Sequence, residues 1–204
     1  MATIQVKVEG ATPLLLNRYT DGAALKASGG GAAISVGDKG TPREQAEAKL
    51  YVGASGGLVI PQPNVFRCLI DAGVFFKIGR TKVTTQKTSL IPACVEIPVV
   101  EVPLHHQEPW TVDTRAVRIP STGGRILCHR PSFNDWALKF ELEVDESLMP
   151  VKLLREILDA AGKRIGLGDF RPACKGPFGK FVVTRWVVEN AARGMQPVLQ
   201  GASQ

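Results

Sequence analysis

Residues 165 to 181, IGLGDFRPACKGPFGKF, gather the side chains of this chain best suited to hold an anion. Gly166, Gly168, Gly176 and Gly179 let a backbone turn with positive φ and approach another chain closely. Arg171, Lys175 and Lys180, with Arg164 just upstream, surround that backbone and face Asp169 as the nearby acid. Such a loop suits a polyanion, whereas the plainer reading is a long connection kept soluble by its lysines. Gly166-Leu-Gly168 begins like a dinucleotide fingerprint, but Arg171 occupies the third glycine position and the loop follows a helix instead of opening one. The nucleoside-triphosphate loop fails as well, because Cys174 stands where its first glycine belongs and Phe181 follows Gly179-Lys180. An extended phosphate backbone is the simplest remaining ligand, and Phe178 or Tyr19 offers a ring for stacking on a base.

A second cationic stretch, KIGRTKVTTQKTS, carries Lys77, Arg80, Lys82 and Lys87 and no acid. Its Thr and Val content predicts a projecting β-ribbon or ordered loop, with a solvated hairpin as the plain alternative. Other chemistry is sparse. Cys68, Cys94, Cys128 and Cys174 are isolated and read as free thiols, and His105, His106 and His129 have no carboxylate or cysteine at ligand spacing. No metal and no cofactor is expected.

The elements that must position these residues follow from periodicity. Thr3 to Glu9 alternates as a half-buried strand, and so does 138–144. Pro42 opens a short helix. A second helix starts near Pro63, with Phe66, Leu69, Ile70 and Gly73 on one face. Residues 91–129, broken by Pro98, Pro103, Pro109 and Pro120, read as short strands. VKLLREILDAAG predicts a helix with Gly162 as its C-terminal cap, and FVVTRWVV a final strand, apolar enough to be central or covered. Trp136 and Trp186, beside or within strands, are expected in the core. The order is β-α-β-β-α-β with insertions, an α+β, ferredoxin-like arrangement shared by RNA-recognition modules. One RRM-like domain over 1–190 is expected, with insertions at about 19–57 and 77–130 and a fraying tail over 191–204.

Composition is compatible with this. The chain has 204 residues, 44% of them hydrophobic, and a formal net charge of +6, which favours an acidic partner. No apolar run is long enough for a membrane span and MATIQVKVEG lacks the pattern of a signal peptide, so a cytoplasmic protein with no membrane partner is expected. Aromatic residues make up 6%, which predicts backbone tracking over base selectivity.

Three spaced signatures, VKVEGATPLLLNR, LVIPQPNVFRCLIDAG and the glycine-rich loop with its Phe-led strand, resemble the RAMP superfamily of CRISPR-associated proteins. The chain departs from that family in having Gln62-Pro63 after the helix-entry proline, where Gly-Ser is usual. The resemblance implies single-stranded RNA or DNA in a cationic groove that includes Arg18, with subunits stacked as a filament or alongside CRISPR-like effector subunits. It makes 77–89 the counterpart of a projecting thumb, and a compact homologue from a phage or mobile element would fit. It also offers two alternatives. One is RNA cleavage by a loop aspartate, Asp21 or Asp38, both of which equally read as turn formers. The other is a protein-interaction subunit that mimics or inhibits an effector. A binding protein without catalysis is the expectation.

Overall fold

The computed structural model describes residues 1–19, 40–118 and 123–190. Asp21, Asp38, half of the first insertion, Pro120 and the expected tail lie outside the described residues.

Among the described residues the strands are β1 (Ala2–Gly10), β2 (Leu14–Leu15), β3 (Val59–Pro61), β4 (Lys77–Ile78), β5 (Thr81–Lys82), β6 (Val95–Glu96), β7 (Glu101–His106), β8 (Thr111–Arg118), β9 (Arg125–Phe133), β10 (Trp136–Val144) and β11 (Phe181–Asn190). The helices are α1 (Pro42–Glu47), α2 (Gln62–Ala72), α3 (Ile91–Cys94) and α4 (Val151–Ala160). The fold is mixed α+β, and each described strand pairing is antiparallel. The main sheet runs β11-β1-β10-β7-β3, with β6 on the end of β10, and a second sheet runs β2-β9-β8.

Alternation builds the main sheet as the sequence predicts. Ile4, Val6 and Val8 of β1 register with Leu142, Phe140 and Leu138 of β10, all buried, so one face is continuous hydrocarbon. Lys7, Glu9, Lys139 and Glu141 take the other face. Helices α2 and α4 cover the apolar face through Val65, Leu69 and Ala72 and through Leu154, Ile157 and Leu158. The α2 stripe is rotated from the expected one. Phe66 and Ile70 are half-buried at its margin, while Val65 and Cys68 point inward. Trp136 is in the core, and Trp186 packs half-buried against it beneath the Arg155 guanidinium.

Three local expectations are corrected. Gly162 does not cap α4: the helix continues as a π turn over Ala161–Ile165, in which Gly166 N–H donates to the Ala161 carbonyl at 2.8 Å, and Gly166 ends it with φ of 74°. A Cβ on Gly162 would strike the Phe181 carbonyl, so its role is close packing of helix on strand. The last strand is neither central nor fully covered. It is an edge, with Val182, Val187 and Val188 exposed, because β1 sits between it and the rest of the sheet. Residues 91–129 open with the short helix α3 and continue as the expected short strands β6 to β9, but Pro103 sits within β7 without breaking it. The 77–89 stretch forms a hairpin, β4–β5, as one of the sequence readings has it, while the longer ribbon among the described residues is β8–β9. The β4–β5 hairpin has only two registered pairs, Lys77–Lys82 and Ile78–Thr81, and the chain then returns Val83 and Thr84 to the interior.

Candidate nucleic-acid interface

The glycine-rich loop is held by the segment that follows β1. Gly179 N–H donates to the Pro13 carbonyl at 2.8 Å, Asp169 N–H to Leu15 at 2.7 Å, and Lys180 N–H to the Thr12 hydroxyl at 3.0 Å. Ala11 N–H returns a bond to the Lys180 carbonyl at 2.8 Å, and Leu167 N–H closes the loop on Gly179 at 2.9 Å. The glycines serve this contact. Gly168 and Gly179 have φ of 73° and 68°, and a Cβ there would overlap the carbonyl oxygens of Leu15 and Leu167 respectively.

Helix α2 joins from the other side, its Cys68 thiol donating to the Gly166 carbonyl at 3.4 Å. Burial pushes the Cys68 thiol up to about 12, the Arg171 charge opposing this less strongly. The three segments that carry the family resemblance therefore meet in one place. Between them lies a cavity of about 230 Å³.

Asp169, the acid within the loop, is committed internally. Its carboxylate accepts from Arg130 Nε at 2.6 Å, from Asn17 Nδ2 at 3.0 Å and from the Phe170 N–H at 2.8 Å. Arg130 is only 6% exposed, and its Nη1 has no partner among the described residues. A desolvated charge-assisted bond of this kind ties ribbon β8–β9 to the loop. Arg130 gave no sequence signal, because nothing local distinguishes a buried arginine from a surface one.

The predicted cations divide into groups. Arg18, Lys77, Arg80, Lys82, Lys87, Arg164 and Lys175 are exposed, while Arg171 and Lys180 are half-buried. Arg171 faces the cavity, and its Nη1 donates to the Gly168 carbonyl at 2.9 Å, so it braces the loop as well as charging it. Lys175 caps a single turn over Pro172–Cys174 in the left-handed region, at φ of 62°. Lys77 and Lys82 oppose each other across their hairpin, and Lys87 rides a turn pinned by the Thr85 hydroxyl. Arg164 lies 4.7 Å over the ring of Phe75, in the turn that leads to that hairpin, and this is the link between the hairpin and the loop.

Phe178 is half-buried, its ring 6.0 Å from Phe170 and under the Arg115 guanidinium at 4.8 Å. The exposed ring beside it is Phe170, held at φ of 49°. Arg115, Arg130 and Phe170 were absent from the sequence-based candidates; only the cross-strand register of β8 with β9 puts the first two on the face toward the loop. Tyr19 is exposed. No group of three or more His, Cys, Asp or Glu is close enough to hold a metal among the described residues. Nor is any described helix long and apolar enough to cross a membrane.

The chain matches no protein-family model and no curated protein. Among solved structures it is similar in fold to a chain of the type III-B Cmr-beta complex determined by cryo-EM with cognate target RNA bound. The TM-score is 0.56 at 12% identity, over 94% of this chain and 61% of that one. The present chain thus spans less than two thirds of the length of that neighbour, and the likeness is one of fold.

Proposed function

We propose that this protein binds single-stranded nucleic acid, RNA first, along a cationic and largely sequence-independent surface, as a RAMP-like subunit. In this reading β1, α2, β7, β10, α4 and β11 form a ferredoxin-like β-α-β-β-α-β core. The observation that carries the proposal is the convergence of segments 11–18, 59–72 and 165–181 on one hydrogen-bonded layer that leaves Lys175 outward, Arg171 facing the cavity and its acid neutralised. The fold likeness to a chain of an RNA-bound complex supports the same reading. Lysines and arginines on such a surface neutralise phosphates and release counterions. Phe170 adds a ring for stacking. Self-assembly along the strand belongs to the proposal, with the exposed edge β11 and the 77–89 hairpin as surfaces available to a neighbour.

Fluorescence anisotropy with single- and double-stranded RNA and DNA over a salt series tests it, followed by negative-stain imaging. Single-stranded RNA is expected to bind most tightly, longer strands more so, with affinity falling steeply in salt. Absence of binding below tens of micromolar at low salt would sink the proposal. Binding to an effector subunit with indifference to oligonucleotides would favour the protein-docking alternative. Strand cleavage lost in Asp21→Ala or Asp38→Ala would make the protein a nuclease.

A further inference from the structure

The cavity of about 230 Å³ beside the glycine-rich loop has walls from all three converging segments: Leu16 and Asn17, Ile60 with Asn64 and Arg67, and Gly166 to Asp169 with Arg171, with Tyr51 completing it. Its chemistry is divided. Tyr51, Leu16 and Ile60 are apolar or aromatic, whereas Asn17, Asn64, Arg67 and Arg171 are hydrogen-bonding.

Many of those polar groups have no partner among the described residues. Arg67 spends its Nε on Asp71 at 2.7 Å, leaving both Nη groups, and Arg171 spends one Nη on Gly168. Asn17 uses its amide N–H on Asp169, which leaves its carbonyl oxygen. The side chains of Asn64 and Tyr51 make no hydrogen bond among the described residues. The acid in the lining, Asp169, is paired with Arg130, Arg67 is paired with Asp71, and the Cys68 thiol stays neutral, so the uncommitted charge is that of Arg171. Planar amides, an aromatic ring and two arginines match a heterocycle joined to a phosphate. The volume lies below the roughly 300–1,000 Å³ of pockets for drug-sized ligands, which selects one base over two.

We propose that this cavity takes one nucleotide of the bound single strand, its base against Tyr51 and Asn64 and its phosphate on Arg67 and Arg171. This rests on the strand-binding reading and adds an enclosed base site to a surface that otherwise tracks the backbone and offers Phe170 for stacking. An amide offers both a donor and an acceptor, so Asn64 satisfies purine or pyrimidine edges and selectivity stays low.

The test compares an oligouridine octamer with a ribose-phosphate octamer lacking all bases, by anisotropy with the full chain at low salt. The wild-type protein is expected to prefer the complete strand by about ten-fold, the range of a single base contact. Asn64→Ala and, separately, Tyr51→Leu should shrink that preference to less than about three-fold, while Lys175→Gln weakens both strands alike. Octamers of 4-thiouridine should photo-crosslink to Tyr51 or within 64–68. Equal binding of the two strands by the wild-type protein overturns the base site while strand binding stands. So does crosslinking confined to Phe170 or Phe178. If neither strand binds, the strand-binding reading fails, and the base site fails with it.

Discussion

Asp169 shows how a residue's surroundings reverse its meaning. In the sequence it is the acid that dilutes a cationic loop; in the fold it is the counter-ion of Arg130, leaving the other cations unopposed. Asp169→Ala should therefore destabilise the protein by about 2 kcal/mol. That is less than the roughly 3–5 kcal/mol of a fully buried pair, because the carboxylate keeps partial contact with water. Asp169→Asn retains the shape and an acceptor and should cost less; urea midpoints of both variants check the order. Cys68 makes a pH-dependent prediction. Its folded-state value of about 12 lies above the ordinary thiol value near 8.5, so the unfolded chain releases its proton first as pH rises. The neutral thiol's contribution is whole below about 8.5 and declines toward 12, on the order of 1 kcal/mol per pH unit. Urea titrations at pH 7 and pH 10 should show wild-type stability falling relative to Cys68→Ala, and an unchanged difference would refute the assignment.

At the scale of elements, alternation and helical periodicity were legible where one face of an element meets the core and the other meets water. β1, β10 and α4 are such elements, and their expected and observed extents nearly coincide. β11 misled because its valines lie on both faces; hydrophobicity reports contact with other atoms but not the position of a strand in a sheet. Gly162 misled because a glycine near a helix end serves either a cap or a close approach, and only the position of Phe181 separates the two. The loop itself yields a test. Gly179→Ala places a Cβ in the left-handed region and against the Leu167 carbonyl, so it should cost more than about 1 kcal/mol. Amide exchange of Leu167 and Gly179 should rise with it, since their bonds close the loop; unaltered protection would show that the loop accommodates a side chain.

For the whole molecule, charge is the property that composition already reports, and its arrangement decides what the charge does. If the exposed cations contact phosphates, the logarithm of the binding constant falls linearly with that of salt, by about 0.7 for each phosphate neutralised on a single strand. Lys175→Gln should lower that slope by about one contact and weaken all single-stranded sequences alike, without altering the urea midpoint. An unchanged slope would remove Lys175 from the interface. Arg171→Gln should do both, since Arg171 also braces Gly168.

By itself the amino-acid sequence determined the alternating strands, the amphipathic helices, their order, and a glycine-rich cationic loop between the last helix and the last strand. These are properties of short windows, where side-chain periodicity and backbone freedom act over a few residues. Only the tertiary structure decided that Asn17, Asn64, Arg67 and Arg171 surround one cavity and that Arg115 stands over Phe178. It also decided that Arg130 neutralises Asp169. Those contacts depend on cross-strand register and on segments joined across most of the chain, and neither leaves a local trace in residue type or spacing.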